Sequence, residues 1–251
     1  MQRHESSQKS APVAPHPPLT RYFDKAADRR GFVSRIFDTT AVHYDWINGV
    51  MSLGTGVTYR KDALNRAGIG AGMRVLDVCM GSGQVSRAAA GLVGEEGWVC
   101  GLDASFNMLR EARPFVSIPL TQAFVEQLPV ADESFDAITM GYALRHVTDL
   151  KETFREYRRV LRPGGRLLIL EFTRPRSKII FHMARFYLRR VVPSLARLKG
   201  RDARILMEYF WDTIENCVPP EAILEAMADV GFAEPSRFGQ IELFSEYTAA
   251  K

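Results

Sequence analysis

The amino-acid sequence predicts an α/β protein built on an open, mainly parallel sheet of about seven strands covered by helices on both faces. Three observations lead there. From residue 73 onward, short β-type runs alternate with amphipathic helical stretches, the pattern of parallel strands joined by crossover helices. The first run, Val75-Leu76-Asp77-Val78-Cys79, enters the glycine-rich turn Met80-Gly81-Ser82-Gly83-Gln84, and a helical stretch follows. Further on, Arg162-Pro163-Gly164-Gly165 halts a helical pattern ahead of another apolar run, because proline cannot continue a helix and glycine supplies the turn.

In chain order, residues 1–20 hold four prolines among Ser, Gln and Ala and read as a disordered leader. Residues 21–251 read as a single domain. Its first part, 21–72, is a helical preface rich in aromatics (Phe23, Phe32, Phe37, Tyr44, Trp46) that ends in Gly68-Ile69-Gly70-Ala71-Gly72. A core follows over 73–173, with strands expected at Met73–Cys79, Trp98–Asp103, Ile118–Val125, Phe135–Tyr142 and Arg166–Phe172. Within it, Leu150, Phe154, Tyr157 and Leu161 give Asp149–Leu161 helical spacing. Residues 174–218 form a basic helical segment. In 219–251, Pro220–Val230 starts with a proline, as helices tolerate, and two strand-like runs lie within 236–249.

Composition narrows the function classes. With 46% hydrophobic and 25% charged residues, the chain is neither disordered nor fibrous. No apolar stretch approaches the ~20 residues a membrane-spanning helix needs, and residues 1–20 lack the apolar core of a secretory signal, so a cytoplasmic protein is expected. Cys79, Cys100 and Cys217 form no CxxC pair, and the histidines at 4, 16, 43, 146 and 182 show no ligand spacing, so reduced, buried thiols and no metal are expected. The net charge of +4 is uneven: Arg174–Arg204 holds ten Lys/Arg against Asp202 alone. A partner for charge is implied there if anywhere. Nucleic acid is a poor match, since no RNA-binding motif or interleaved aromatic and basic strand accompanies the charge. No pattern specifies an oligomeric state.

The glycine turn lies where a strand's carboxyl end meets a helix, the ligand position of an open sheet. Gly81 and Gly83 lack Cβ and let backbone approach a ligand closely. Asp103 closes the next strand, 22 residues after Gly81, where a carboxylate can accept ribose hydroxyls. The third glycine of a dinucleotide fingerprint would fall on Ser86, which weakens an NAD reading. Asp77 favours a sulfonium nucleoside electrostatically and would repel a diphosphate.

Here the sequence resembles the class I S-adenosylmethionine-dependent methyltransferases, and within them the ubiquinone/menaquinone biosynthesis C-methyltransferase family, over roughly residues 33–232. The resemblance is carried by Phe37-Asp38-x-x-Ala41-x-x-Tyr44-Asp45-x-x-Asn48, Met51-Ser52-x-Gly54, Val75-Leu76-Asp77-Val78, Gly101-Leu102-Asp103-x-Ser105-x-x-Met108-Leu109, Leu128-Pro129, Ser134-Phe135-Asp136, Leu144-Arg145, Arg159 to Arg166 and Leu170-Glu171-Phe172. It implies a Rossmann-like seven-stranded sheet, a preface folded over the cofactor pocket, and a helical lid after the fifth strand. S-adenosylmethionine would then touch Ser82 in the loop, Asp103 with neighbouring Ala104, Phe124 and Val125 near the adenine, and Gly141 at the fourth strand's end. Three segments depart from the family: Phe124-Val125 where it has Asn-Ala, Tyr142-Ala143-Leu144-Arg145-His146 where it has Phe-Gly-Leu-Arg-Asn, and Gly239-Gln240-Ile241-Glu242-Leu243 in place of a glycine-rich ending.

Methyl transfer to a ring carbon beside a phenol needs alignment, exclusion of water, and a route for the phenolic proton. Arg145, permanently charged and rigidly forked, is expected to stabilise a phenolate, and His146 is placed to take the proton. Tyr44 is expected to shape the active site, with Asp45 capping the turn at Asn48 and His43 left without a catalytic part. Ile180, Met183, Ala184, Tyr187, Leu188, Val191 and Leu195 make a stripe expected to cover the pocket, while Arg185, Arg189 and Lys199 point away. Those cations are either solvated or rest on anionic lipid at the inner face of a membrane, giving a peripheral contact through 174–204. The expected activity is C-methylation of a quinol or related aromatic. The departures also fit a methyltransferase for another small aromatic or lipophilic molecule, and a loop that binds without transfer would make a nucleoside-binding protein.

Overall fold

The computed structural model describes residues 13–52, 54–240 and 242–251. Strands β1 (Arg74–Val78), β2 (Trp98–Asp103), β3 (Leu120–Gln122), β4 (Phe135–Gly141), β5 (Leu161–Phe172), β6 (Ala233–Gln240) and β7 (Phe244–Ala250) form one sheet in the order β3-β2-β1-β4-β5-β7-β6. The strands from β1 to β5 pair in parallel, whereas β7 is antiparallel to both β5 and β6. The order reverses between β2 and β4, on either side of β1, so a crevice opens at the carboxyl end of β1.

Alternation along the buried strands sends side chains to two cores. On one face Leu76, Leu102 and Ile138 meet α6 (Leu150–Val160) through Phe154 and Tyr157, and α10 (Pro220–Asp229) through Ile223 and Met227. On the other, Val75, Val99 and Ala137 meet α3 (Gly56–Arg66) through Leu64, and α4 (Gln84–Val93) through Val85 and Ala89. Each such large side chain contributes about 1.5–3 kcal/mol on burial. Asp149 starts α6 as its N-cap, accepting from Glu152 N at 3.0 Å.

A third core joins the preface, α1 (Arg29–Thr40) and α2 (Tyr44–Ser52), to α9 (Arg201–Asn216) through Phe32, Ile36 and Ile47 packed with Leu206, Tyr209 and Trp211. Over it lies an arm of α7 (Lys178–Phe186), a π-helical turn (Tyr187–Val191) and α8 (Val192–Ala196).

Four expectations change. Residues 1–12 of the anticipated leader lie outside the described residues, but 13–20 form a fixed strap rather than disordered chain. Leu150 N donates to Val13 O (2.9 Å), Val218 N to Pro15 O (2.8 Å) and Arg29 Nη2 to His16 O (2.6 Å). Prolines suit such a strap, being extended and needing no N–H partner. Next, β5 starts before the Pro-Gly-Gly turn instead of after it: Gly164 takes φ +75° and donates its N–H to Lys251 O, Lys251 N donates to Gly165 O, and the pairing with β4 slips between Phe135 and Ala137. Then β3 is three residues long, because 123–125 leave the edge to wall the crevice. Finally, the arm's buried stripe is Ala184, Leu188, Val192 and Ala196, so Met183 and Leu195 face outward. The π-helical turn widens the local repeat toward four residues and shifts the stripe from the 3.6 spacing expected.

Candidate active site

Two connected cavities fill the crevice. The outer, about 800 Å³, runs along Asp103, Ala104, Phe124, Val125, Gly141 and His146 beneath α1 and α2. The inner, about 350 Å³, is walled by Asp77, Ser82, Gln84, Asn48 and Arg60. Tyr44, Cys79, Gly81, Gly141 and Tyr142 border both. The result is one bent slot with a carboxylate at its outer end and a guanidinium at its inner end.

Local chain geometry opens that slot. Gly81 sits at φ +55°, and a Cβ there would stand 3.3 Å from the Tyr44 ring. Cys79 (φ +51°) and Tyr142 (φ +61°), at the ends of β1 and β4, hold left-handed conformations that cost non-glycine residues about 1–3 kcal/mol each. Strain at both strand ends marks the place where the fold turns its chain away from a ligand. Gly83 lines neither cavity; its φ is +80°, a Cβ there would stand 3.0 Å from Val116, and it forms the turn into α4.

Asp103 accepts from Gly81 N and Ser105 N, both at 2.8 Å, so it braces the loop while facing the outer cavity. Burial pushes its carboxyl up to about 6, against the pull of those N–H groups. Asp77 is buried deeper, bonded to Ser86 Oγ and, at 2.8 Å, to Thr139 Oγ1, and burial pushes it up to about 6 too. It pins α4 to β1 and β4 and adds negative potential at the inner wall. Ser82 Oγ donates to Asp45 Oδ1, which Gln84 Nε2 reaches at 2.8 Å. Asp45 therefore ties the preface to the glycine loop instead of capping the turn at Asn48. Asp38 does the same one strand over, accepting from Ser105 Oγ at 2.8 Å and Asn107 N at 3.0 Å. Their motif positions are visible in the sequence, but the partners, 37 and 67 residues away, are not.

Arg145 overturns its expectation. Instead of facing the crevice it is fully buried, ion-paired to Glu171, with Nε donating to Thr213 Oγ1 at 3.0 Å and its guanidinium 4.1 Å from the Phe210 ring centre. It lines neither cavity. Glu171, near the end of β5 beside β4, supplies the carboxylate that pairs with it, which offsets part of the cost of burying the charge. Its backbone N–H also donates to Glu171 at 3.2 Å, which fixes the turn that presents His146.

His146 does reach the outer cavity. Its ring stacks on Tyr209 at 5.4 Å, meets Phe37 edge-on at 5.2 Å, and places Nδ1 3.3 Å from Tyr209 Oη, while Nε2 has no hydrogen-bond partner. Burial, helped by the Arg145 charge, lowers its pKa well below the ordinary value, so the imidazole is neutral at neutral pH. Tyr44, its phenol pushed up to about 12 by burial, stays protonated. His43 borders neither cavity. The arm 174–218 contributes no cavity-lining residue either; α9 instead backs the site through Tyr209 and Thr213, residues without a motif to announce them.

On the wall of the outer cavity, Phe124 carries the Arg30 guanidinium 4.0 Å from its ring centre, and Arg30 pairs with Glu126 at 3.1 Å. S-adenosylmethionine fits these groups: the Asp103 carboxylate suits ribose hydroxyls, the glycine-floored neck a sulfonium near Asp77, and Arg60 a carboxylate. Among the described residues no His, Cys, Asp or Glu cluster could hold a metal ion.

Comparison with known proteins agrees. The chain is 34% identical over 218 residues to the ubiquinone/menaquinone biosynthesis C-methyltransferase UbiE of Shewanella sp. (strain ANA-3), covering 84% of this chain and 85% of that one. With the Hahella chejuensis protein of the same name it shares 32% over 211 residues, 81% and 84% of the two chains. Among solved structures, a SAM-dependent methyltransferase from Aquifex aeolicus superposes with TM-score 0.58 at 18% identity, covering 76% of this chain and 88% of its own. Haemonchus contortus phosphoethanolamine N-methyltransferase 2, solved with S-adenosyl-L-methionine, gives 0.63 at 20%, over 89% of this chain and 60% of its own. These two share the fold. The protein is thus an S-adenosylmethionine-dependent methyltransferase with a Rossmann-like seven-stranded sheet, and its match over residues 24–238 shows that it belongs to the ubiE/COQ5 methyltransferase family.

Proposed function

We propose that this methyltransferase methylates a ring carbon of a quinol-type aromatic acceptor bound between Phe37, His146 and Tyr44. The observation that carries the reading is His146: a neutral imidazole on the cavity wall, framed by aromatic rings, whose buried Nε2 has no hydrogen-bond partner among the described residues. A phenolic hydroxyl is the group such a nitrogen matches, and Nδ1–H donating to Tyr209 Oη would leave Nε2 as the acceptor. S-adenosylmethionine supplies an activated methyl group on a sulfonium. His146 would take the phenolic proton as the ring carbon attacks the methyl group and the S–CH3 bond breaks, leaving S-adenosylhomocysteine; the ring proton at that carbon would pass to water as aromaticity returns, and His146 would give its proton back to the oxygen. Arg145 is a positioning residue, holding the 143–147 turn through Glu171, not a phenolate contact. Asp103, Ala104, Phe124, Val125 and Gly141 would hold the adenosine; Asp77, Gly81 and Ser82 with Arg60 would hold the methionyl end.

The names of the relatives support a quinol acceptor. Such acceptors carry long apolar tails, so a peripheral position at the inner face of a membrane, with contact through 174–204, belongs to the same reading. No helix among the described residues is long and apolar enough to cross a membrane. The test is rescue: a bacterium lacking its own quinol C-methyltransferase should regain methylated quinone when this gene is expressed. Soluble, cofactor-binding protein that leaves the demethyl quinol unchanged would contradict the proposal.

A further inference from the structure

The outward face of the α7–α8 arm carries two features that the methyl-transfer site does not use. Ile179, Met183 and Phe186 stand at i, i+4 and i+7 on α7 and are 74%, 67% and 67% exposed. Leu198, just beyond α8, is 79% exposed. Large apolar side chains repeated on one helical face cover nothing in the fold, although burying them would be favourable.

Along the same arm the side chains turn cationic. Arg189, Arg190 and Arg197 line a cleft of about 950 Å³ whose far wall is Arg21 and Arg204. Glu208 pairs with Arg21 and, at 2.9 Å, with Arg204; Asp212 accepts from Tyr22 Oη at 2.7 Å; Glu215 holds Arg189 at 3.2 Å. Those acids fix three of the arginines in place. Arg190 and Arg197 have no ion pair among the described residues, so the cleft presents surplus positive charge on a preformed wall. Arginine forks of this kind match phosphate oxygens.

We infer that the arm is a docking surface for an anionic phospholipid bilayer, in which Ile179, Met183, Phe186 and Leu198 enter the interface and the cleft around Arg190 and Arg197 takes lipid phosphates. The combination selects this partner. A soluble phosphate has no use for the apolar row, and a nucleic acid would use the charge and Phe186 but leave the aliphatic Ile179, Met183 and Leu198 exposed. The apolar row reverses the expected arrangement, in which the same helix turned Met183 inward and only cations faced out. The arm rests on the preface through Tyr187 Oη, which donates to Val50 O at 2.6 Å, and the preface roofs the crevice, so docking would set the slot near the bilayer. This inference shares the lipophilic-acceptor reading above, yet its test needs neither acceptor nor turnover.

The full chain is sedimented with phosphatidylcholine vesicles with and without phosphatidylglycerol. Binding should require the anionic lipid and weaken with salt. The double variant Arg190→Gln/Arg197→Gln should lower partitioning about 30-fold, from about 1 kcal/mol per cation at the surface and a tenfold change per 1.4 kcal/mol. Met183→Ser/Phe186→Ser should weaken it at least tenfold and make the remainder more salt-sensitive. Both variants should keep wild-type thermal stability and bind S-adenosylhomocysteine normally. Three results would overturn the inference: no preference for anionic vesicles, vesicle binding untouched by the serine variant, or an oligonucleotide or inorganic phosphate that binds the cleft while vesicles do not.

Discussion

Replacing Glu171 by Gln keeps the side chain's shape and removes its charge. In the native chain, Glu171 pairs with Arg145 and accepts the backbone N–H groups of Arg145 (3.2 Å) and Phe172 (2.7 Å), with both ionic partners at 1% exposure or less. Arg29, also buried, lies close enough for its charge to act on His146, and its guanidinium bonds only backbone carbonyls and His16. Without Glu171 two guanidiniums would share a dry interior with no carboxylate. Breaking such a pair from one side costs about 3–5 kcal/mol. For a chain of this size each kcal/mol moves the melting temperature about 2–4 °C, which gives a drop of about 6–20 °C. Thermal unfolding of cofactor-free protein at neutral pH measures it. The apolar pair Arg145→Met/Glu171→Leu should regain little of the loss, because the two backbone N–H groups left without an acceptor cost about 1–3 kcal/mol each. An unchanged melting temperature in Glu171→Gln, together with a large fall in kcat for Arg145→Gln, would put Arg145 in the active site and refute this reasoning.

Three further predictions concern the slot. Asp103→Ala should weaken cofactor binding about 10- to 100-fold, since hydrogen bonds to a carboxylate contribute about 1.5–3 kcal/mol; calorimetry decides, and an unchanged Kd would remove Asp103 from the site. Affinity for S-adenosylmethionine should fall as pH drops through about 6, where Asp77 and Asp103 take up protons, while S-adenosylhomocysteine, whose thioether carries no charge, changes less. Stability should move the other way: their folded pKa values lie above the unfolded one, so the folded state binds extra protons between about 4 and 6, and these groups make the apo-protein more stable as pH falls through that window. His146→Phe should lower kcat about 10²- to 10⁴-fold, the range for a lost general base, with cofactor Kd unchanged; retained kcat would exclude the imidazole as base.

The sheet was legible where β1, β2, β4 and the second half of β5 are largely apolar, whereas β6 is mostly polar and exposed; the glycine turn and Asp103 announced the crevice through spacing within one βαβ unit. A motif fixes position along the chain but not direction: Arg145 lies in the turn four residues past the end of β4, and whether its side chain faces the crevice or the third core depends on Glu171 and Thr213, 26 and 68 residues on. The same distance hid Asp45's bond to Ser82 and Tyr209's contact with His146. On the arm, a 3.6-residue apolar pattern does not say which of the adjacent apolar positions Met183 and Ala184 takes the buried side of α7, and the structure buries Ala184. Residues 13–20 looked disordered because their composition buries little, but His16 supplies the anchor that composition discounts.

The most direct measurement of the account is the position of the transferred methyl. Purified protein is incubated with S-adenosylmethionine carrying an isotopically labelled methyl group and a short-tailed demethyl quinol, and the product is analysed by mass spectrometry and NMR. The account predicts one labelled methyl on the ring carbon adjacent to a phenolic oxygen, formed by the wild type and nearly abolished in His146→Phe. Label found on oxygen or nitrogen, or only on a non-quinol acceptor from an extract, would contradict it.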